Sequence, residues 1–92
     1  MKFMTSWSVP KENISEAAAR FLSGEAPPVV GVTILGRWHN VDFRGGYTLT
    51  ESTDAVATYA EAAQWADLLD LSIVPVIEDG DAGAVLAKQF KK

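Results

Sequence analysis

The chain has 92 residues, which is enough for one hydrophobic core and too few for two. It contains no cysteine, which excludes disulfides, thiolate metal sites and a cysteine nucleophile, and its formal net charge of −4 opposes binding to nucleic acid. The sequence shows no leader-like start and no apolar run long enough to span a membrane, so we expect a single cytoplasmic domain, residues 1–92, without nucleic-acid or membrane partners.

The first two predicted elements are a strand and an amphipathic helix. Residues 2–8 alternate in polarity, with Phe3, Thr5 and Trp7 on one face. Pro10 suits the first turn of the helix. The apolar residues of this predicted helix recur at helical spacing: Ile14, Ala17, Ala18, Phe21 and Leu22. Gly24 is expected to end this helix, because glycine adopts the left-handed conformation that helix ends favour.

Two further strands are predicted, at 31–39 and 44–51. Only a short polar segment separates them, which indicates a hairpin. Strict alternation would place Arg37 and His39 on one face of the first of these strands, and Trp38 with Ile34 on the other. Gly36, in the middle of the strand, indicates a bulge or a close approach of another chain segment.

The second half of the chain reads as helix, strand, helix. Ser52, Thr53 and Asp54 can cap a helix over residues 55–69. The main apolar stripe of that helix is predicted to be Val56, Tyr59, Ala60, Ala63 and Ala66. Trp65 lies off this stripe, where it would pack under the last helix or meet a partner chain. A strand at 71–78 follows, and then a helix with four apolar residues: Ala82, Val85, Leu86 and Phe90.

The order β-α-β-β-α-β predicts an α+β, ferredoxin-like fold with a four-stranded antiparallel sheet, two helices on one face and an extra C-terminal helix. In that topology the first and third strands are central and the other two are edges. Pro75 falls in the fourth strand, and proline is confined to sheet edges or bulges because it has no N–H to donate. The position of Pro75 therefore supports the predicted topology.

The sheet face away from the two helices is the reason to expect a homodimer. A face exposed to water should be polar, but here it would carry Met4 and Leu35 beside Arg37 and His39. A half-apolar face on a small sheet is best covered by the sheet of a second copy.

Four segments together carry a family resemblance: the start MKFMTSWSVPKEN, LGRWHN in the second strand, GGYTLTE in the third, and WADLLDLSIVPVIED. The chain resembles a small bacterial family catalogued as domain of unknown function 3303, of the dimeric α+β barrel type. That resemblance covers nearly the whole chain and implies two ferredoxin-like sheets facing each other. It implies no activity, because proteins of this architecture are chemically diverse.

The candidate ligand-binding residues are Trp7, Arg37, Trp38, His39 and Arg44. Strand alternation would place Arg37 and His39 on the face between two sheets and Trp38 on the helix side. Arg37, with Arg44 across the hairpin, could bind an anionic ligand, and His39 is the best candidate for a catalytic, proton-transferring residue. In the alternative, purely structural interpretation, Arg37 pairs with a carboxylate, His39 caps the hairpin and Trp38 is core. A His39–Asp42 acid–base pair is a further alternative, although polar residues are expected near a turn in any case.

Three functions therefore remain open. The first is a homodimeric domain that binds a small molecule between the sheets or serves as an accessory protein. The second is a cofactor-independent monooxygenase or isomerase in the same cavity, since some dimeric α+β barrel proteins are monooxygenases that use Trp, Asn and His, and this chain has Trp7, Trp38, Asn40 and His39. The third is a structural interaction module without a ligand. One histidine and no cysteine argue against structural zinc, and no metal or cofactor is expected.

Overall fold

Strands and helices alternate in the expected order in the computed structural model, which describes residues 1–90. A 3-10 turn at Lys11–Asn13 precedes the first α-helix. The elements are β1 (Lys2–Ser8), α1 (Ile14–Ser23), β2 (Val32–His39), β3 (Gly45–Ser52), α2 (Ala55–Ala63), β4 (Asp70–Val76) and α3 (Asp79–Gln89). Gly24 caps α1 in the left-handed conformation, with φ of 74°, as its position predicts.

The four strands form one antiparallel sheet in the order β2-β3-β1-β4. β1 and β3 are therefore central, and β2 and β4 are edges, which is the ferredoxin-like arrangement. Pro75 lies in the edge strand β4 opposite Phe3 of β1, so its missing N–H leaves the interior of the sheet intact. The predicted fold class and strand order are confirmed.

A β-bulge in β2 reverses the faces expected for the second half of that strand. Ile34 pairs with Thr50, but the next residue of β3, Leu49, pairs with Gly36, so Leu35 is an extra residue. One inserted residue moves every later side chain to the other face of the sheet. Arg37 and His39 consequently lie on the helix-covered face, and Trp38 lies on the other. The prediction that Arg37 and His39 face a second sheet is wrong, because strict alternation ignores the bulge.

α2 is shorter than expected and presents a different face to the sheet. It ends at Ala63 and not at residue 69, with turns covering the segment that follows. Its buried residue is Thr58, whose hydroxyl donates to the Ser52 hydroxyl at 2.7 Å. Val56 and Tyr59 are 76% and 70% exposed, so the predicted apolar stripe is wrong. The short hydroxyl side chains on β3 favour a helix face that can hydrogen-bond to them.

The core is small and lies beneath α1. Val9, Ala17 and Leu68 form its buried centre, and a second group of half-buried side chains packs around it: Trp7, Ile14 and Leu69. Arg20 joins α1 to the turn after α2, donating to both carboxylate oxygens of Asp67 at 2.7 and 2.9 Å. α1 is therefore held to the 64–69 segment by one apolar cluster and one bidentate ion pair.

α3 stands apart from this core. Not one of its residues, all of which are described, is buried. One of the two expectations for Trp65 was that it packs beneath α3. It lines instead a cleft under α1 and α2. Within residues 1–90, no helix has the length and apolar character needed to cross a membrane.

Candidate functional site

A cleft with a volume of about 560 Å³ lies between the sheet and the helices α1 and α2. On this face β3 carries only small residues, Gly46, Thr48, Thr50 and Ser52, and Thr48 is the one among them that lines the cleft. A row of small residues along the centre of a sheet leaves space that the helices above do not fill. Pockets of this size are typical of small-molecule sites.

Gly46 allows two aromatic rings from non-adjacent strands to meet. It pairs with Trp7 on one side and with His39 on the other, so the three residues form one row across the sheet. A Cβ atom at Gly46 would collide with the Trp7 ring. Without that atom, the Trp7 ring lies over the glycine and contacts His39 edge to face, with 5.3 Å between ring centroids.

α1 adds the third ring of this cluster and contacts the cation beside it. Phe21 meets His39 at a centroid distance of 5.2 Å and an interplanar angle of 65°. The guanidinium carbon of Arg37 lies 5.6 Å from the centroid of the same Phe21 ring, within cation–π distance. Arg37, one row further along the sheet, pairs with Thr48 on β3. The side chains of Arg37 and His39 are thus held by one helical phenylalanine.

The α2 side of the cleft carries Glu61, Ala62 and Trp65. Burial raises the pKa of the Glu61 carboxyl, and the positive charge of Arg37 opposes part of that rise. Our sequence reading did not single out Glu61. A usable signal was its position three residues after Thr58 and four before Trp65, which would place all three on one face of the helix predicted over residues 55–69.

The hairpin tip between β2 and β3 forms the mouth of the cleft. Val41 and Phe43 line it and are otherwise exposed. Phe43 has a φ of 66°, a left-handed conformation that non-glycine residues rarely adopt. Asp42 accepts a hydrogen bond from the Arg44 backbone N–H at 2.9 Å, so its carboxylate stabilises the turn. Asp42 is therefore engaged by the loop, which is its expected role in a tight turn.

Three of the five predicted ligand-binding residues come together in this cleft: Trp7, Arg37 and His39. Trp38 lies on the opposite face of the sheet, next to Tyr47. Arg44 lines a shallow polar groove at the end of the sheet, with Ser6 and Asp70. Its Nε donates to the Val9 carbonyl oxygen at 3.4 Å. Trp38 and Arg44 thus lie outside the cleft.

The cleft walls are mainly apolar, and its polar groups are few and close together. Besides the residues described above, two polar residues line the cleft, Thr5 and Asn40. The rest of its lining is apolar: Val9, Ile14, Ala17, Ala18, Leu22, Gly45, Leu69, Leu71 and Ile73. Such a surface can take up an apolar or aromatic molecule. Arg37 can pair with an anionic group on it, and the His39 imidazole and the Glu61 carboxyl can each donate or accept a proton.

Comparisons with known proteins agree with this fold. The model of a family described as "Domain of unknown function (DUF3303)" matches residues 1–90. Rv0793 from Mycobacterium tuberculosis has a TM-score of 0.50 and 9% identity, covering 85% of this chain and 96% of that one. MupZ from Pseudomonas fluorescens has a TM-score of 0.49 and 14% identity, covering 98% and 78%.

A mutant of SnoaB, a cofactor-independent oxygenase from Streptomyces nogalater, gives a TM-score of 0.38 and 15% identity, covering 84% of this chain and 92% of that one. No curated protein matches the chain. At 9% identity, the likeness to Rv0793 shows the fold alone.

Proposed function

This chain belongs to the DUF3303 family, a domain of unknown function, and from that premise we propose that its cleft binds a small, mainly apolar molecule with an anionic group. The observation that carries the proposal is the placement of Arg37 and His39 inside an apolar cleft and not on the bare face of the sheet. An apolar pocket with a few converging polar groups is the usual form of a small-molecule site.

Arg37 supplies the specificity in this proposal. Its guanidinium lies over Phe21, so the charge is held at the cleft wall near the space that a ligand would occupy. No ion pair of Arg37 within 4.0 Å is found among the described residues, and Glu61 acts on it only at longer range. A ligand anion could therefore pair with Arg37 without first displacing a bound carboxylate.

Two fluorescent probes of similar shape test this proposal. Anilinonaphthalene sulfonate carries an aromatic body and a negative charge, and N-phenylnaphthylamine carries a similar body without the charge. We expect both to bind in the cleft and Arg37→Gln to weaken only the sulfonate, by about tenfold, because a charge-assisted hydrogen bond contributes about 1.5 kcal/mol. The matched control is Arg44→Gln, which removes the same charge outside the cleft and should leave both affinities unchanged.

Two results would count against ligand binding in the cleft. The first is equal weakening of the sulfonate by Arg37→Gln and Arg44→Gln, which would indicate only a general charge effect. The second is unchanged binding of both probes when Ala18→Trp fills the space beneath α1, since a large ring there must displace a ligand from the cleft.

A second candidate function is proton-transfer catalysis on the bound molecule, as in a cofactor-independent isomerase, or in an oxygenase that also consumes dioxygen. The specific support is that His39 and Glu61 line one cleft, with burial raising the pKa of Glu61. When a substrate is known, His39→Gln should abolish turnover and retain binding if His39 transfers the proton. If His39→Gln lowers substrate binding and turnover by the same factor, His39 contributes to recognition alone.

The same proposal includes a homodimer formed through the open face, meaning the sheet face defined by Met4, Trp38, Tyr47, Leu49 and Val74. Trp38 and Tyr47 form a cross-strand pair there and are 57% and 50% exposed. Aromatic residues are enriched at interfaces, and this face is more apolar than the sequence suggested because Arg37 and His39 are absent from it. If the protein is instead an interaction module with no ligand, we expect the dimer to form and neither fluorescent probe to bind in the cleft. We expect the dimer to act in the cytoplasm without nucleic acid, consistent with the net charge of −4.

A further inference from the structure

α3 is a helix whose apolar residues have no cover within the chain. Val85, Leu86 and Phe90 are 63%, 54% and 71% exposed. Together with Ala82 they recur at spacings of three, four and eight residues, so they lie on one side of the helix. The opposite side carries Asp81, Ala84 and Lys88, which are also exposed. α3 is thus amphipathic, with its apolar side facing solvent.

Such a helix is not expected to be stable without a partner. α3 has 11 residues, and isolated helices shorter than about 12–15 residues are marginal in water. Gly80 and Gly83 weaken it further, since each glycine in a helix costs about 1 kcal/mol relative to alanine. Favourable contacts on the apolar side must therefore supply the missing stability.

The whole chain exposes more surface than a compact monomer of its mass. Its accessible surface is 6612 Å², whereas a 9.9 kDa monomer is expected to expose about 5,200 Å². The radius of gyration is 15.8 Å, against about 12 Å for a compact chain of this length. The excess of about 1,400 Å² is larger than the roughly 800 Å² that each partner buries in a standard interface.

We propose that α3 is an arm exchanged between two copies of this chain, its apolar side packing on the partner beside the open face. This inference rests on the dimer proposed above. α3 follows β4 directly, and Val74 and Val76 of β4 lie on the open face, opposite Met4 and Lys2 of β1. The base of the arm is fixed to the sheet by an ion pair between Lys2 Nζ and Glu78 Oε1 at 2.6 Å.

A second copy of this chain is the partner that can cover both the apolar side of α3 and the open face of the sheet. In a two-fold symmetric dimer, each copy offers the other the same pair of surfaces. The apolar side of α3 adjoins the open face within one chain. In the dimer, these two surfaces of each copy would therefore cover the same two surfaces of the other copy. The chain measures 54 × 30 × 18 Å, so its outline is elongated.

The test combines sedimentation velocity with hydrogen exchange on the full chain at two protein concentrations. We expect the wild type to be a dimer at micromolar concentration, with α3 amides protected and with that protection falling on dilution. Leu86→Asp should weaken dimerisation at least about tenfold and abolish protection of α3. Ala84→Asp adds the same charge on the other side of the helix and should change neither result.

The outcomes separate the arm from the dimer. A wild-type dimer with unprotected α3, or one in which Leu86→Asp and Ala84→Asp behave alike, would overturn the arm and leave the dimer standing. A wild-type monomer would overturn both. Protection of α3 that does not change on dilution would show that α3 packs within its own chain, which also overturns the arm. If Leu86→Asp fails to fold, the concentration dependence of the wild type decides.

Discussion

At the scale of single residues, the cleft depends on the absence of a side chain at Gly46. The Trp7 ring and the Trp38 carbonyl oxygen both occupy the position where a Cβ would lie. The ring is held by His39, and the carbonyl belongs to the backbone of the neighbouring strand, so neither can move aside cheaply. One glycine therefore determines whether Trp7 and His39 can meet.

We predict that Gly46→Ala lowers the free energy of unfolding by about 1–3 kcal/mol, the usual cost of overpacking. Urea denaturation monitored by tryptophan fluorescence measures this effect. The matched control is Gly83→Ala, where a Cβ meets no atom within 4 Å, and which should leave stability unchanged or slightly raised. Equal midpoints for the wild type and Gly46→Ala would show that Trp7 does not lie over this glycine.

Glu61 and Asp67 are predicted to affect stability with opposite dependence on pH. Burial raises the pKa of Glu61 from its ordinary 4.5, so the folded state favours the neutral carboxyl. The stability that this carboxyl contributes is complete below pH 4.5 and is lost as the pH rises through the pKa of the folded state. Hydrogen bonds from Arg20 lower the pKa of Asp67 from its ordinary 3.8, so its contribution is present above that value and is lost as the pH falls through its folded pKa.

At pH 7 we therefore expect Glu61→Gln to stabilise the protein and Asp67→Asn to destabilise it. The Glu61→Gln difference should shrink as the pH falls towards 4.5, and the Asp67→Asn difference should shrink below about 3.8. Thermal denaturation at pH 3, 5 and 7 measures both. A destabilised Glu61→Gln at pH 7 would contradict the account of the carboxyl as a poorly solvated group.

At the scale of elements, the bulge in β2 decides which residues line the cleft. Leu35 is the extra residue, because its neighbours Ile34 and Gly36 pair with consecutive residues of β3. Without the bulge, a regular strand would place Trp38 in the cleft and Arg37 on the open face. The bulge also brings the Trp38 ring over Gly36, where a Cβ would collide with it.

We predict that deletion of Leu35 keeps Arg37 and His39 in the cleft, because removing the unpaired residue leaves all later pairs unchanged. His39 is the only histidine of the chain, so its imidazole proton signals can be assigned directly by NMR. The ring currents of Trp7 and Phe21 should shift those signals in the wild type and in the deletion variant alike. Trp7→Leu should move them towards the values of an exposed histidine, and an exposed-histidine spectrum for the deletion would contradict the bulge assignment.

At the scale of the whole molecule, this chain has too little core for the apolar surface it carries. Its buried hydrophobic residues include small ones, such as Val9 and Ala17, whereas large apolar residues are exposed on the open face, at the cleft mouth and along α3. A 92-residue domain is marginal unless additional surface is covered. Self-association is the simplest source of that cover.

We predict that Tyr47→Glu weakens self-association at least about tenfold, because it places a charge at the centre of the open face. The matched control is Tyr59→Glu on the outer side of α2, which is 70% exposed and should have no effect. Sedimentation velocity over a range of concentrations measures both. If the Tyr59 variant dissociates and the Tyr47 variant does not, the dimer uses the helical side of the molecule.

The sequence by itself determined the order of the elements, the strand topology and the family. These follow from local signals, such as the alternation in β1, the glycine after α1 and Pro75 at an edge. It also indicated Gly36 as an irregular position and five candidate site residues, of which Trp7, Arg37 and His39 line the cleft and Trp38 and Arg44 do not. Only the tertiary structure decided which faces these residues occupy, because one bulged residue reverses a strand and because the buried face of α2 is the one whose Thr58 hydrogen-bonds to Ser52 of β3. Periodicity finds an element, but the partner it packs against determines which of its sides is buried.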